Sequence, residues 1–384
     1  MTSVQLGMPA TALAAGLSTA PPPGAADLPP ERGSLPAGQT LADGLIDRFG
    51  RRASDMRLSV TDKCNLRCTY CMPENGLDWL TKDKVLTAAE IVRLVGIGVD
   101  RLGVRELRLT GGEPLVRKDL AEIVAGLRAA HPQLPISLTT NGVGLAKRAQ
   151  SLKDAGLSRI NISLDTLHPE AFAQLTRRPF LDQVLAGVEA AHAAGLGPIK
   201  INAVLMRGIN DDGAAELLGW CLARGYELRF IEQMPLDADH GWTRDNMITA
   251  AEIRSLLAAD FELSPDPRER DGAPAERFEV RHHGSAELLG TVGIIASVTE
   301  PFCADCRRTR VTAEGKVMSC LFSRTEVDLL ELLRAGDTPA DDDAVAVRWQ
   351  EAMWAKPRAH GMDHVGLGAP DFVQPDRSMS AIGG

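Results

Sequence analysis

The chain has 384 residues, enough to bury a full core without disulfides or a structural metal. Lys and Arg number 42 against 51 Asp and Glu, a net charge of −9 that argues against general binding to nucleic acid or to an anionic membrane. It leaves room for one small anion held by a local cluster of cations. No apolar run approaches the ~18 residues of a membrane span, and no basic stretch followed by an apolar one marks a secretory signal. A cytoplasmic setting is therefore expected.

Residues 1 to 47 are rich in Ala, Gly and Pro, with the runs Pro21-Pro22-Pro23 and Pro29-Pro30. They read as a disordered tail, because few apolar side chains there repeat at a structural period. From residue 48 to about 268 short apolar runs alternate with helical patterns. Met56-Arg57-Leu58-Ser59-Val60 predicts a strand. Thr87-Ala88-Ala89-Glu90 is a capping box opening a helix with Ile91, Leu94 and Val95 on one face. Residues 107–110 predict the second strand, and Asp119 opens a helix whose Leu120, Ile123, Val124 and Leu127 share a face. Strands follow at 136–139 and 160–164, with a helix between them. Then come helices at 169–175 and 181–194, a strand at 200–205, a helix at 214–223 and a sixth strand at 227–231.

Six repeats of strand and helix predict a parallel sheet with the helices outside. Polar residues recur at the C-terminal ends of successive strands: Thr110-Gly111-Gly112-Glu113, Thr139-Thr140-Asn141, Ser163-Leu164-Asp165 and Glu232-Gln233-Met234. In barrels that edge builds the active site, so the expected fold class is α/β, a partial (β/α)6 barrel over 48–268. Residues 264–275, rich in Pro and charge, read as a linker. Residues 269–384 read as a smaller C-terminal α+β module, with strands around 278–280 and 292–295 and helices around 325–334 and 344–355.

Six of the seven cysteines fall in two triplets. Cys64, Cys68 and Cys71 form C-x3-C-x2-C just after the first strand, and Cys303, Cys306 and Cys320 form C-x2-C-x13-C in the C-terminal module. A disulfide framework belongs to short secreted chains and does not leave two triplets. Zinc usually takes four ligands, and His282 and His283 are candidates for a fourth at the second triplet. Adjacent histidines in a polar stretch belong more often to the surface. An Fe–S cluster held by three cysteines keeps one iron open, which suits a triplet better.

Arg307-Arg308-Thr309-Arg310 places three arginines in four residues beside the second triplet. A solvated charge run is the bland reading; fixed guanidinium forks also suit a polyphosphate. Arg57, Arg108 and Lys200 lie within or beside core strands, where charges are rarely buried without a partner. An anion inside the barrel accounts for them economically.

The first triplet resembles that of the radical S-adenosylmethionine (SAM) enzymes, whose [4Fe-4S] cluster binds SAM at its open iron. Gly111-Gly112-Glu113-Pro114 resembles the second motif of that superfamily, which contacts the SAM amino group. From about Leu45 onward the whole constellation is similar to the GTP 3′,8-cyclases, which start molybdenum-cofactor biosynthesis. The likeness rests on Arg57-Leu58-Ser59-Val60-Thr61-Asp62-Lys63-Cys64, on the second triplet with Arg308-Thr309-Arg310, and on the terminal Gly383-Gly384.

The resemblance implies two [4Fe-4S] clusters, one on Cys64, Cys68 and Cys71 and a second on Cys303, Cys306 and Cys320. It implies SAM contacts from Tyr70, Gly112, Ser163 and Met234. It implies GTP contacts from Arg57, Arg108, Thr139, Lys200, Arg308, Thr309 and Arg310, with Arg229 as a further hold on the triphosphate. Gly383 and Gly384 would reach the reacting centre. Some members have Lys where this chain has Glu106, which puts one phosphate contact in doubt. The implied reaction joins ribose C3′ of GTP to C8 of guanine. Its product would pass to the cyclic pyranopterin monophosphate synthase, with an electron donor and a homodimer as further partners. The rival readings are another two-cluster radical SAM enzyme, such as a peptide-modifying maturase, and a zinc-binding adaptor.

Overall fold

In the computed structural model, which describes residues 35–36, 38–359, 374–375 and 377–382, the six predicted strands and the helices between them all form. They run β1 (Asp55–Ser59), α1 (Ala88–Leu102), β2 (Glu106–Thr110), α2 (Leu120–Ala130), β3 (Ile136–Thr140), α3 (Ala149–Asp154) and β4 (Arg159–Ser163). Then come α4 (Pro169–Thr176), α5 (Leu181–Ala193), β5 (Lys200–Val204), α6 (Ala214–Leu222) and β6 (Glu227–Ile231). The chain continues through α7 (Ala250–Leu257), β7 (Phe261–Pro265), β8 (Glu276–His282), β9 (Gly290–Ile295), β10 (Arg308–Val311), β11 (Lys316–Met318) and β12 (Val327–Asp328). It ends in α8 (Leu330–Ala335), α9 (Pro339–Trp354) and the short α10 (Met379–Ile382).

Local chemistry sets the helix ends. The Thr87 hydroxyl accepts from Glu90 N at 3.2 Å while Thr87 N donates back to the Glu90 carboxylate at 2.7 Å, and Gly103 closes α1 in the left-handed region. Thr338 and Asp341 cap α9 the same way, with Pro339 in its first turn. Trp349 of α9 is fully buried and donates its indole N–H to Thr309 Oγ1 at 2.9 Å, fastening the C-terminal helix to β10.

All twelve strands belong to one sheet, in the order β12-β11-β10-β1-β2-β3-β4-β5-β6-β9-β8-β7. The expected C-terminal module therefore has no sheet of its own. Strand β10 lies parallel beside β1, with Asp55 opposite Arg308, and β9 lies parallel beside β6, with Leu228 opposite Val292. Strands β7 and β8 pair antiparallel across 266–275, so the expected linker is the turn of a hairpin. Charge and proline suit a turn as well as a linker, and composition does not separate them.

The N-terminal boundary also moves. Leu41–Asp43 forms a single helical turn, Leu45 is buried in the main core, and Asp47 is buried against Arg51 Nε at 2.6 Å. Order thus begins before residue 48; the anchors for this segment, Arg51 and Gln350, come from later in the chain. Residues 1–34 lie outside the described residues.

Alternation along the strands divides the sheet into two faces. Met56, Leu58, Leu107, Leu109, Ile136, Leu138, Ile160, Ile162, Ile201, Leu228 and Phe230 are fully buried under the helices. The other face carries Asp55, Arg57, Glu106, Arg108, Arg159, Asn161, Lys200, Asn202, Glu227, Arg229, Arg308 and Arg310, brought into rows by the parallel register. Strands β1 and β6 are five spacings apart, roughly 24 Å in a flat sheet. Yet Cys64 just after β1 and Thr110, Thr139, Ser163, Val204 and Ile231 at the ends of β2 to β6 all border one cavity, so the sheet is rolled into a trough with the charged face inside.

The loop after β2 crosses the cysteine loop at Gly111-Gly112. Gly112 N donates to Thr61 O at 2.8 Å and Glu113 N to Lys63 O at 2.7 Å. A Cβ on Gly111 would lie 2.4 Å from Thr61 O and one on Gly112 2.4 Å from Lys63 O, so only glycine fits. The Glu113 carboxylate then accepts from Thr140 Oγ1 at 2.6 Å, Asn141 N at 2.6 Å and Leu115 N at 2.9 Å. It staples β2 to β3. Burial raises this carboxyl to about 7, outweighing the three hydrogen bonds that favour its ionised form. A raised acid binds its proton more tightly in the folded than in the unfolded chain. Its contribution to stability is therefore complete below the unfolded pKa and is lost as pH rises through about 7. Glu113→Gln should flatten the fall in unfolding midpoint of the metal-free protein between about pH 5 and about pH 8. An unchanged slope in a melting series across that range would show that the carboxylate is ionised throughout.

Candidate active site

The first cysteine triplet sits on the loop leaving β1, at the C-terminal edge of the sheet. Cys71 N and Met72 N both donate to Cys68 O, at 3.0 and 2.9 Å, which turns the loop back on itself. Arg67 N and Thr69 N donate to Thr176 O and Leu175 O, tying it to the end of α4. All three thiols are free and half-buried. Burial pushes Cys64 up to about 11, Cys71 up to about 12 and Cys68 well above its ordinary value. A metal bound here must displace those protons.

These cysteines line a cavity of about 220 Å³ together with Tyr70, Gly112, Thr139, Ser163 and Met234, so all four expected SAM residues border one space. Tyr70 donates its hydroxyl to Asp165 Oδ2 at 2.6 Å, and Asp165 Oδ1 accepts from Val204 N at 2.9 Å. Asp165 thereby fixes the Tyr70 ring at the cavity wall, and burial raises its carboxyl to about 6. Sequence reading placed Asp165 at a strand end but gave it no role. The Glu113 carboxylate also borders this cavity, held there by its staple to β3. Met379 and Ser380 from the C-terminal segment complete the lining. Gly383 and Gly384 lie outside the described residues.

The second triplet lies at the other end of the strands: Cys303 and Cys306 precede β10, whose Arg308 pairs with Asp55 at the start of β1, whereas the first triplet follows β1. Strand β9 flanks β6 and β10 flanks β1, so the connection 296–307 spans the open side of the trough and carries Cys303 and Cys306 with it. Cys320 follows β11. The three cysteines border a second cavity of about 50 Å³ with Arg308, Arg310 and Met234, and Met234 lines both cavities. Burial pushes the Cys306 thiol up, but the Arg308 guanidinium and the Lys356 ammonium outweigh it and bring it down to about 6. His282 stacks on Phe261 at the β7–β8 edge, and neither His282 nor His283 lines the second cavity. Among the described residues no three His, Cys, Asp or Glu side chains gather around a single ion. A cubane, which places each thiolate on a different iron, needs its ligands spread more widely.

Between the triplets the charged face is uneven. Seven cations (Arg57, Arg108, Arg159, Lys200, Arg229, Arg308 and Arg310) share it with three carboxylates, Asp55, Glu106 and Glu227. The carboxylates occupy the first residues of β1, β2 and β6. They pair with Arg57 at 3.1 Å, Arg159 at 3.0 Å and Lys200 at 2.7 Å respectively. Glu106 thus neutralises Arg159, a cation that sequence reading missed. Burial and neighbouring guanidinium groups lower Arg310 to about 9 and Arg108 well below its ordinary value, and burial is the largest cause bringing Arg229 to about 10. The Nε atoms of Arg57, Arg108 and Arg229 and the Oδ1 atoms of Asn161 and Asn202 are buried without a hydrogen-bond partner. Groups of this kind call for a polyanionic ligand with polar edges. Thr309 is not brought to this face: its hydroxyl points outward and accepts from Trp349.

Residues 58–221 match the Radical SAM superfamily, and residues 226–362 match Molybdenum Cofactor Synthesis C. The chain is 74% identical over 355 residues to the GTP 3′,8-cyclase of Paenarthrobacter nicotinovorans, covering 91% of this chain and 99% of that one. It is 55% identical over 353 residues to the GTP 3′,8-cyclase of Mycolicibacterium smegmatis, covering 92% and 95%. Among solved structures, Streptococcus suis SuiB bound to S-adenosylmethionine superposes with a TM-score of 0.52 at 17% identity, over 76% of this chain and 67% of that one. That likeness is one of fold. Two cysteine triplets at opposite ends of a cationic trough, and identity of this extent over nearly the whole length, place the chain in the GTP 3′,8-cyclase family of the radical SAM superfamily.

Proposed function

We propose that the trough holds GTP between the two triplets and closes it to (8S)-3′,8-cyclo-7,8-dihydroguanosine 5′-triphosphate, the first step of molybdenum-cofactor biosynthesis. The observation that carries this reading is the excess of buried, mutually repelling cations on the inner face. A triphosphate relieves that repulsion and meets the orphaned guanidinium N–H groups. Cys64, Cys68 and Cys71 would hold a [4Fe-4S] cluster, which would supply the electron for reductive cleavage of SAM; removal of hydrogen from ribose C3′ would let that carbon join C8 of guanine, and a second electron with a proton, from the external donor, would complete the dihydro product.

The chain's own residues place and enclose the reactants. Tyr70, held by Asp165, and Gly112, Ser163 and Met234 border the SAM space. Arg57, Arg108, Arg229, Arg308 and Arg310 take the triphosphate, with Thr139 beside the first cavity and Lys200 shared with Glu227. Cys303, Cys306 and Cys320 hold the second cluster, within reach of the base. Orientation of this kind turns a bimolecular encounter into a near-unimolecular one. Met379 and Ser380 bring the C-terminal segment to the first cavity, which supports a role for Gly383 and Gly384 beside the reacting centre. Transfer of product to the cyclic pyranopterin monophosphate synthase, an external electron donor, a homodimer and a cytoplasmic setting complete the proposal, on family membership. Among the described residues no helix is long and apolar enough to cross a membrane.

The test is anaerobic reconstitution followed by assay of 5′-deoxyadenosine and of the cyclised nucleotide. Both should depend on GTP, and a protein that forms neither while loaded with iron and sulfide would overturn the reading. Arg308→Ala and Arg310→Ala should each weaken GTP binding by about 1.5–3 kcal/mol per lost charge-assisted bond while sparing SAM. Thr309→Val should leave GTP affinity unchanged, and calorimetry on the three variants separates the two faces of β10. Deleting Gly383 and Gly384 should keep both iron content and GTP affinity and strongly reduce cyclisation. Full turnover by the truncated enzyme would remove the tail from the site.

A further inference from the structure

Lys356 follows the end of α9 and is only 3% exposed. Its ammonium has three hydrogens, and three acceptors surround it: Arg308 O at 2.8 Å, Cys306 O at 3.2 Å and Cys306 Sγ at 3.3 Å. None of the three is a carboxylate. A buried ammonium without a carboxylate is costly unless something anionic lies against it, and a cluster-bound Cys306 thiolate would supply that charge. The geometry is fixed from a second side. Arg51 donates through Nη1 to Cys303 O at 2.8 Å and to Arg358 O at 2.7 Å, and its Nε is held by Asp47 Oδ2 at 2.6 Å. The segment carrying Lys356 and the turn carrying Cys303 and Cys306 are therefore clamped together.

Resting on the reading of Cys303, Cys306 and Cys320 as ligands of a second cluster, we propose that Lys356 is the positioning residue of that cluster. It pins the Cys306 sulfur to the start of β10 and sets the reduction potential of the cluster through its N–H···S bond. Two of its bonds fix the backbone at Cys306 and Arg308, and the third reaches the ligand atom itself. A cation and a donor on a ligating sulfur stabilise the reduced, more negative cluster over the oxidised one and so raise its potential. The same placement keeps Arg308 oriented into the trough, because the Arg308 carbonyl is one of the acceptors.

The test uses the full chain carrying Cys64→Ala, Cys68→Ala and Cys71→Ala, so that only the second triplet takes a cluster. This parent, and the same chain with Lys356→Met or Lys356→Arg, are reconstituted anaerobically with iron and sulfide. Iron content is measured, and the midpoint potential is followed by electron paramagnetic resonance during a redox titration. Lys356→Met should keep its iron and shift the midpoint negative by about 59 mV, a tenfold change in the oxidised-to-reduced ratio for one electron. Lys356→Arg, which keeps charge and donors, should stay close to the parent. Loss of iron from Lys356→Met but not from Lys356→Arg also supports the assignment, since it isolates the bonds to the Cys306 turn. An unmoved midpoint in iron-loaded Lys356→Met, or loss of iron from both variants alike, overturns it. A parent that binds no iron overturns the second-cluster reading, and the proposal with it.

Discussion

Parallel sheets usually bury both faces in hydrocarbon, because crossover helices cover one and a second layer covers the other. Here eight parallel strands keep that habit on the outer face and invert it on the inner one, where arginine and lysine alternate with asparagine and a few carboxylates. Charges this close in a partly dry space repel strongly. Asp55, Glu106 and Glu227 hold three of the cations, and neighbouring guanidinium groups help burial to lower Arg108 and Arg310. The polar face cannot close on itself, so the sheet stays a trough, and the trough is the site.

The two triplets answer different electrostatic demands around that space. At the first, burial dominates and the thiols hold their protons. At the second, Arg308 and Lys356 overcome burial and favour the Cys306 thiolate. Met234, the one residue of its strand-end motif that borders both cavities, marks where the two spaces meet. Its neighbour Glu232 is spent on structure, accepting from Ala250 N, Val298 N and Thr299 N, and thereby anchors the chain that leads across the open side.

Much of the site was legible before the fold. The cysteine spacings, the glycine pair and the strand-end polar residues are local patterns, and each lies where its spacing implied. What changed or was missed turned on contacts that are not local. Thr309 sits between two arginines that face the ligand space, but the two-residue period of a strand sends it outward to Trp349. Glu113 borders the first cavity through bonds to Thr140 and Asn141 on and after β3, about 28 residues on in the chain. Asp165, Arg159 and Lys356 were passed over because their partners, Tyr70, Glu106 and Cys306, lie about 50 to 95 residues away in the chain.

The sequence by itself determined the repeating strand and helix, the two cysteine triplets and the presence of buried cations. Each follows from residues within one element or one loop, where periodicity and spacing act directly. Only the tertiary structure decided that the C-terminal strands complete the same sheet, pairing Asp55 with Arg308 and Leu228 with Val292. It alone decided that the two triplets therefore lie at opposite ends of the strands that carry the cations. The backbone hydrogen bonds that join β10 to β1 are the same for any residue pair, so no side-chain pattern announces them. What selects that register is the whole inner face: with β10 beside β1, Arg308 and Arg310 join Arg57 over the ligand space while Thr309 meets α9.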